Sequence, residues 1–548
     1  MKSIKSIVQL ALVCLLVSAC AMAQIPTIDA PNQSDVQAET HFLTFIGSFV
    51  AETPTSATAY YNAIDPSGSK RDFPHWLVSA GFIQDISEWN PSGPQTVISD
   101  PSQHGYGKIL ADAHVIVLNA ADLGFVRNQF VRCVPNCNAS SNPIIYTYLE
   151  NYPVAPFATI SGFPVNSGIP TQAEAQAAIH SALSRPLGVV GGDGVSPCNG
   201  SAQCIERIAD VAFEWSPPPN NPTSATRYGK QFAFLFSHDS TNPNLALPCS
   251  AGSSQNCLET INWSQSAVNA QNSRITNHKP FPPLCSNAPG SAACPINTSQ
   301  PFAPELDARG AKQMPGVCLP CHGGNPQNLT STGAYPRQGN IGGFRFLPLD
   351  NGNLMFGTVA DHTDRASQQA NIKQYNKAVL LTIPTYVETD DQGVRRVAHV
   401  REVIQGWYAG FPGDTSMSAP TQNESFVPVG WGSNPNSPEG QFYLNVVAPN
   451  CRTCHFNREL SLDFGTQADF DAESDILQLA LLPFCNAFTP GYKVDPNLRP
   501  MPLAHLTYQR YWQNVSNTSN PSPNPSMSNQ IAAHFGFGTV QGYCATNP

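Results

Sequence analysis

Between residue 24 and about residue 305 the apolar positions come in short runs, apolar throughout or alternating, separated by Pro, Asn, Gly and Ser. Runs of this length bounded by turn residues are strand signals, and the clearest cover residues 41–46, 114–118, 144–149 and 231–236. Helix signals are fewer there. Thr171 and Glu174, directly after Pro170, form a capping box that opens a helix over 172–184. A second helix is expected over 205–215, and the prolines of 216–222 mark a turn or rigid connector. Beyond residue 305 the period changes. Residues 365–381, 397–409, 473–484 and 503–515 read as amphipathic helices, and the Pro/Asn/Ser-rich stretch 516–528 as loop. No repeat at a solenoid or propeller period is present. The pattern predicts an α+β multidomain chain with a strand-rich half over 24–305 and a mainly α-helical half over 306–548.

The first 23 residues stand outside that pattern. Lys2 and Lys5 precede an apolar run from Ile7 to Val17, the shape of a secretory signal and too short for a spanning helix. Two processing patterns compete. Val17-Ser18-Ala19-Cys20 resembles a lipobox, which would make Cys20 a lipid-anchored first residue. Ala21-Met22-Ala23 before Gln24 is an ordinary signal-peptidase site. Both export the chain, to the periplasm or to the outer membrane and cell surface. A mature chain beginning at an unlipidated Gln24 would rule out the anchor.

Composition agrees with export. Only 12% of the 548 residues are charged, about half the usual share, while Pro numbers 50 and Gly 39. The formal charge is −10. Nucleic-acid binding needs a basic stripe, so that partner class is not expected.

There are 16 cysteines, two of them (Cys14 and Cys20) in the leader and four in a repeated motif. The ten that remain are even in number, as an oxidising compartment favours. They fall in neighbouring pairs: Cys133/Cys137, Cys198/Cys204, Cys249/Cys257 and Cys285/Cys294, with Cys485 and Cys544 left for each other. These pairings are expected as disulfides that pin single loops, because short closed loops remove little chain entropy.

The repeated motif is Cys318-Leu319-Pro320-Cys321-His322 and Cys451-Arg452-Thr453-Cys454-His455. Two thiols at this spacing reach both vinyl groups of one porphyrin from a single helical turn. The adjacent imidazole then meets the iron from one face. Zinc sites usually bring two such thiol pairs closer together or set histidines at other spacings. A redox dithiol would sit in a βαβ pattern, which the chain does not show. Cys318, Cys321, Cys451 and Cys454 are therefore expected to be thioether anchors of two covalently attached haem c groups, with His322 and His455 as proximal iron ligands.

On these two motifs, and more weakly on Pro500-Met501-Pro502, the C-terminal part resembles a c-type cytochrome with two haems. The likeness covers a small fraction of the chain. It implies a helical, cytochrome c-like C-terminal half and redox protein partners, a donor and an acceptor; it carries no particular reaction. Met501 lies 46 residues after His455, in a Met-Pro setting similar to the distal-ligand loop of small cytochromes c, and is the expected sixth ligand there. His505 is its rival. For the first iron Met355, His362, His399 and Met417 compete, and an open site is a further alternative. Trp407, Tyr408, Phe411 and Trp431 are either haem-edge or core aromatics, and Arg452 either meets a propionate or is solvated.

Three functions fit. The first is an exported di-haem electron-transfer protein. The second, from the enzyme class, is a di-haem peroxidase or oxygenase with one open haem. The third makes the strand-rich half a binding module with a redox haem tail. Oligomeric state is not legible from the sequence.

Overall fold

The computed structural model describes residues 64–70, 73–90, 95–137, 142–152, 154, 157–160, 163–166, 170–183, 209–235, 318–322, 344–383, 386–389, 395–410, 416–456, 463–474, 505–512, 527–540 and 542–543. The leader with Cys20, the run 41–46, Met501, Phe411, most of 473–484 and every expected disulfide except Cys133/Cys137 lie outside these residues. The chain forms two compact units. One comprises Phe49–Phe470 with His505–Thr507, the other Met1–Ser48, Asp471–Ala504 and Tyr508–Pro548. In the second, the described residues include the helix Met527–His534, whose start lies in the stretch expected to be loop.

The larger unit is α+β. Helix α1 (Phe73–Ala80) is followed by a short parallel pair, β1 (Thr96–Ile98) and β2 (Lys108–Leu110). The main strands are β3 (Ala113–Asn119), β4 (Val126–Val134) and β5 (Ile144–Tyr152). A small hairpin, β6 (Phe157–Ile160) and β7 (Phe163–Asn166), and helix α2 (Gln172–Leu183) separate them from β8 (Ala209–Ser216) and β9 (Tyr228–Leu235). Later elements are α3 (Leu319–His322), β10 (Leu354–Met355) and α4 (Arg365–Thr382). The hairpin β11 (Tyr386–Thr389) and β12 (Arg395–Val397) leads to α5 (His399–Trp407). Six strands build one antiparallel sheet in the order β10-β3-β4-β5-β8-β9.

Alternation decides what each face of that sheet meets. Phe130, Tyr148, Ala212, Phe232 and Phe234 share one face and pack against Trp76 and Leu77 of α1. Further along the same face, Ile116, Leu118, Val126 and Tyr152 pack against Ala175, Ala178, Ile179 and Ala182 of α2. Each large side chain so buried contributes about 1.5–3 kcal/mol. The opposite face carries α4, whose Tyr375 meets Thr147, and receives Phe344 and Phe346 against Phe213.

The capping box is present as expected: Thr171 Oγ1 accepts from the Glu174 amide at 3.2 Å, and the Thr171 amide donates to Glu174 at 2.7 Å. Expected segments 114–118, 144–149, 231–236, 365–381, 397–409 and 503–515 coincide with β3, β5, β9, α4, α5 and a helix at His505–Trp512. The Pro-rich stretch joins β8 to β9, with a turn closed by Asn221 N–H to Pro218 O at 3.0 Å. Cys133–Cys137 is a disulfide.

Two expectations fail. The helix expected over 205–215 is strand β8 from Ala209 onward. Its alternate residues Asp210, Ala212 and Glu214 face α1, where Glu214 accepts from Trp76 Nε1 at 2.9 Å and Lys70 Nζ at 2.6 Å. The tertiary ion pair and both sheet ladders outweigh a weak helical pattern. The boundary near residue 305 also does not separate two compact units. β10, from beyond it, pairs with β3, so the larger unit spans both sides. Among the described residues, no helix is long and apolar enough to cross a membrane.

Candidate functional site

The first motif occupies a single helical turn, closed by His322 N–H to Cys318 O at 3.1 Å. Its imidazole is fixed from three sides. The ring stacks on Phe344 at 4.5 Å and on Phe213 of β8 at 4.9 Å. Nδ1 lies 3.0 Å from the Arg345 carbonyl. A carbonyl only accepts, so Nδ1 carries the proton and Nε2 keeps its lone pair, the tautomer a metal-binding imidazole needs. Some of His322 remains solvent-accessible, yet the enclosing rings desolvate the imidazole. That burial pulls its pKa down to about 3, despite the opposing bond to Arg345, and holds it neutral.

Helix α6 (Pro438–Phe442) runs into ten residues of π-helix, Tyr443–Arg452, which carry the first two residues of the second motif; the motif ends in the turn α7 (Thr453–His455). Pro449 sits inside the π-helix. It cannot donate the bond to Asn445 O that an α-helix requires and would crowd that carbonyl; one residue on, the Asn450 side chain donates to Val446 O at 3.0 Å. The wider winding leaves Cys451, Arg452 and Cys454 buried. His455 stacks on Phe464 at 4.5 Å.

Arg452 is neither solvated nor available to a propionate. Its Nε donates to Asp350 at 3.0 Å, and its guanidinium lies 5.3 Å from the Trp407 ring centre and 5.6 Å from that of Tyr443. Burial opposes the charge, but Asp350 and Tyr443 outweigh burial and raise the guanidinium's pKa above its usual value. Trp407, Tyr408 and Trp431 are fully buried core side chains.

One segment serves both motifs. Phe344 and Arg345 grip His322, while a few residues on Asp350 holds Arg452 and Asn353 Nδ2 donates to Thr453 Oγ1 at 3.1 Å. This strap is anchored to α4. Asn376 accepts from Leu349 N–H at 2.7 Å and donates to Leu349 O at 2.9 Å; Gln422 donates to the same carbonyl at 2.7 Å. Phe213, Phe344, Arg345, Asp350 and Asn353 all escaped sequence reasoning. The last four share only a position between the two motifs in the chain, and Phe213 lacks even that.

The strap joins the two motifs, and α3 and α7 are in contact. None of the four motif cysteines is in a disulfide. Hydrogen bonding to Cys321, with burial, holds the Cys454 thiol well above its usual pKa, and burial pushes Cys451 up to about 12.

These features fit haem c attachment. Each turn offers two thiols and an imidazole, and at His322 the nitrogen that would face iron is the one left without a proton. They fit zinc poorly. Among the described residues, the one group of three or more His, Cys, Asp and Glu donors close enough to share an ion is Asp112 with Cys133 and Cys137, which form the disulfide.

The rivals for the first iron's distal side divide. His399 is bound at both nitrogens, Nδ1 by Asp463 O at 2.7 Å and Nε2 by the Tyr443 hydroxyl at 3.1 Å. Met355 packs into the α2 cluster, and Met417 lines a groove of about 660 Å³ along α4. His362 is exposed at a turn with φ of 55°. For His505 the backbone alone is described, in its helix.

No protein-family model, curated protein or solved structure matches this chain.

Proposed function

We propose that the chain is an exported di-haem c-type cytochrome that mediates electron transfer between a donor and an acceptor protein. The observation that carries this reading is the meeting of two Cys-x-x-Cys-His turns, 133 residues apart in sequence, with all four cysteines as thiols. Bound haem c supplies a one-electron iron couple. The chain's own groups do the rest: Cys318, Cys321, Cys451 and Cys454 would anchor the two groups, and His322 and His455 would bind iron. Arg345 O, through Nδ1, orients the first imidazole, and the strap 344–353 keeps the two turns in register. Met501 remains the proposed sixth ligand of the second iron.

A second reading is a di-haem peroxidase or oxygenase with an open first haem. The engagement of His399 and Met355 elsewhere favours it. A visible spectrum of the ferric holoprotein separates the two: wholly low-spin, peroxide-inert iron is expected for the carrier. A high-spin component with peroxide turnover faster than free haem would overturn the pure carrier. Export is tested by the mass of the mature chain, which should lack at least the first 19 residues of the leader.

A further inference from the structure

We propose that Tyr443 is a redox-active tyrosine: on losing one electron it keeps the radical and passes its phenolic proton to Nε2 of His399. This goes beyond the haem reading and stands without it, because both partners are the chain's own side chains.

The surrounding hydrogen bonds fix where that proton can go. His399 opens α5, and its Nδ1 lies 2.7 Å from the Asp463 carbonyl. That oxygen only accepts, so Nδ1 carries the ring proton and the neutral imidazole presents its Nε2 lone pair. Nε2 lies 3.1 Å from the Tyr443 hydroxyl, within the reach a general base needs. The same hydroxyl accepts from Arg452 Nη1 at 3.4 Å. A guanidinium has donors alone, which leaves the phenolic proton to His399.

The pair is also held and enclosed. His399 meets Phe456 edge-on at 5.2 Å, and a Cβ on Gly465 would lie 3.0 Å from the His399 Cβ. Tyr443 is 0% and His399 2% exposed, which keeps bulk water from competing for the proton. Arg452 faces the hydroxyl with Asp350 bound to it, and Glu402 lies one turn along α5. An imidazolium forming there adds its charge where two carboxylates already offset the guanidinium. The electron has an oxidisable neighbour on its way out, the Trp431 ring at 5.5 Å.

In the step, an outer-sphere oxidant of high potential takes one electron from Tyr443. The phenolic O–H bond breaks as an N–H bond forms at His399 Nε2. The products are a neutral tyrosyl radical, a His399 imidazolium and the oxidant reduced by one electron. A one-electron donor reverses the transfer, so the pair is a one-electron store beside the second motif.

The test is flash oxidation of the purified full chain, treated beforehand with ferricyanide, by photogenerated tris(bipyridine)ruthenium(III), with radicals followed by electron paramagnetic resonance. Exposed tyrosines such as Tyr106 also react, so the expected product is a tyrosyl signal that outlives theirs. It should be absent in Tyr443→Phe, which keeps the buried ring. His399→Gln can still accept the hydrogen bond but cannot take the proton, and should form the signal at least about a hundredfold more slowly. A role in packing alone would leave that rate unchanged. A persistent signal that survives Tyr443→Phe, or none in the unmodified chain, would overturn the inference. So would an unchanged rate in His399→Gln, or equal rates of the unmodified chain in water and heavy water. Haem per chain is counted separately, so a chain found to lack it removes the haem reading and leaves these outcomes intact.

Discussion

A guanidinium carried into an apolar box costs several kcal/mol unless a carboxylate meets it there. Arg452 and Asp350 meet in that way between Trp407 and Tyr443, directly inside the second motif. Removing one partner strands the other. Asp350→Asn and Arg452→Met should each lower stability by about 3–5 kcal/mol in urea unfolding. The double variant should lose less than the sum, because the residues share one interaction; strict additivity would contradict the pairing. The aromatic sandwich around His322 is tested in the same manner. Phe344→Ala removes a buried ring and one wall of the imidazole, for about 3–5 kcal/mol. It should also broaden the imidazole signals in NMR spectra, which a purely remote effect would leave sharp.

At the scale of elements, buried amides replace missing strand partners. β10 is two residues long, so it cannot cover all of β3. Gln368 of α4 takes over, accepting from Ile116 N–H at 2.8 Å and donating to Ile116 O at 2.9 Å. Gln368→Leu should cost about 1–3 kcal/mol for each backbone group left unpaired, seen as faster amide exchange along β3. Thr171→Ala, at the exposed cap of α2, should cost about 1 kcal/mol and leave β3 exchange unchanged. The cap was legible in the sequence because its two residues are three apart, as were α4 and the strands bounded by turn residues. β8 was not, because its decisive partner Lys70 lies 144 residues away from Glu214. The strap 344–353 has neither helical nor alternating period, and its order comes from Asn376, Gln422 and the two motifs. The motifs were legible as chemistry, but their meeting depends on that strap, and no local pattern announces it.

For the whole larger unit, the buried cluster of Lys70, Glu214 and Lys230 makes folding depend on pH. Burial alone would raise the Glu214 carboxyl, but Lys70 and Lys230 outweigh it and hold it below its usual value. Its stabilising share is therefore complete above the unfolded value of about 4.3 and is lost as pH falls through the lower folded value. Burial, against Glu214, pulls Lys230 down to about 8. Between there and the unfolded value of about 10.4 the unfolded chain binds more protons, so stability rises with pH. Urea midpoints across pH should show both limbs, with Glu214→Gln flattening the acid limb and Lys230→Met the alkaline one. Unchanged limbs in the variants would show that other groups set the profile.

We propose that two porphyrins are bonded through sulfur to Cys318, Cys321, Cys451 and Cys454 of the larger unit. Pyridine haemochrome per polypeptide, measured on the chain purified from a host that matures c-type cytochromes, tests it most directly. Two haems per chain that survive acid-acetone extraction are the predicted result. A colourless chain with four alkylatable motif thiols, or one carrying stoichiometric zinc, would contradict it.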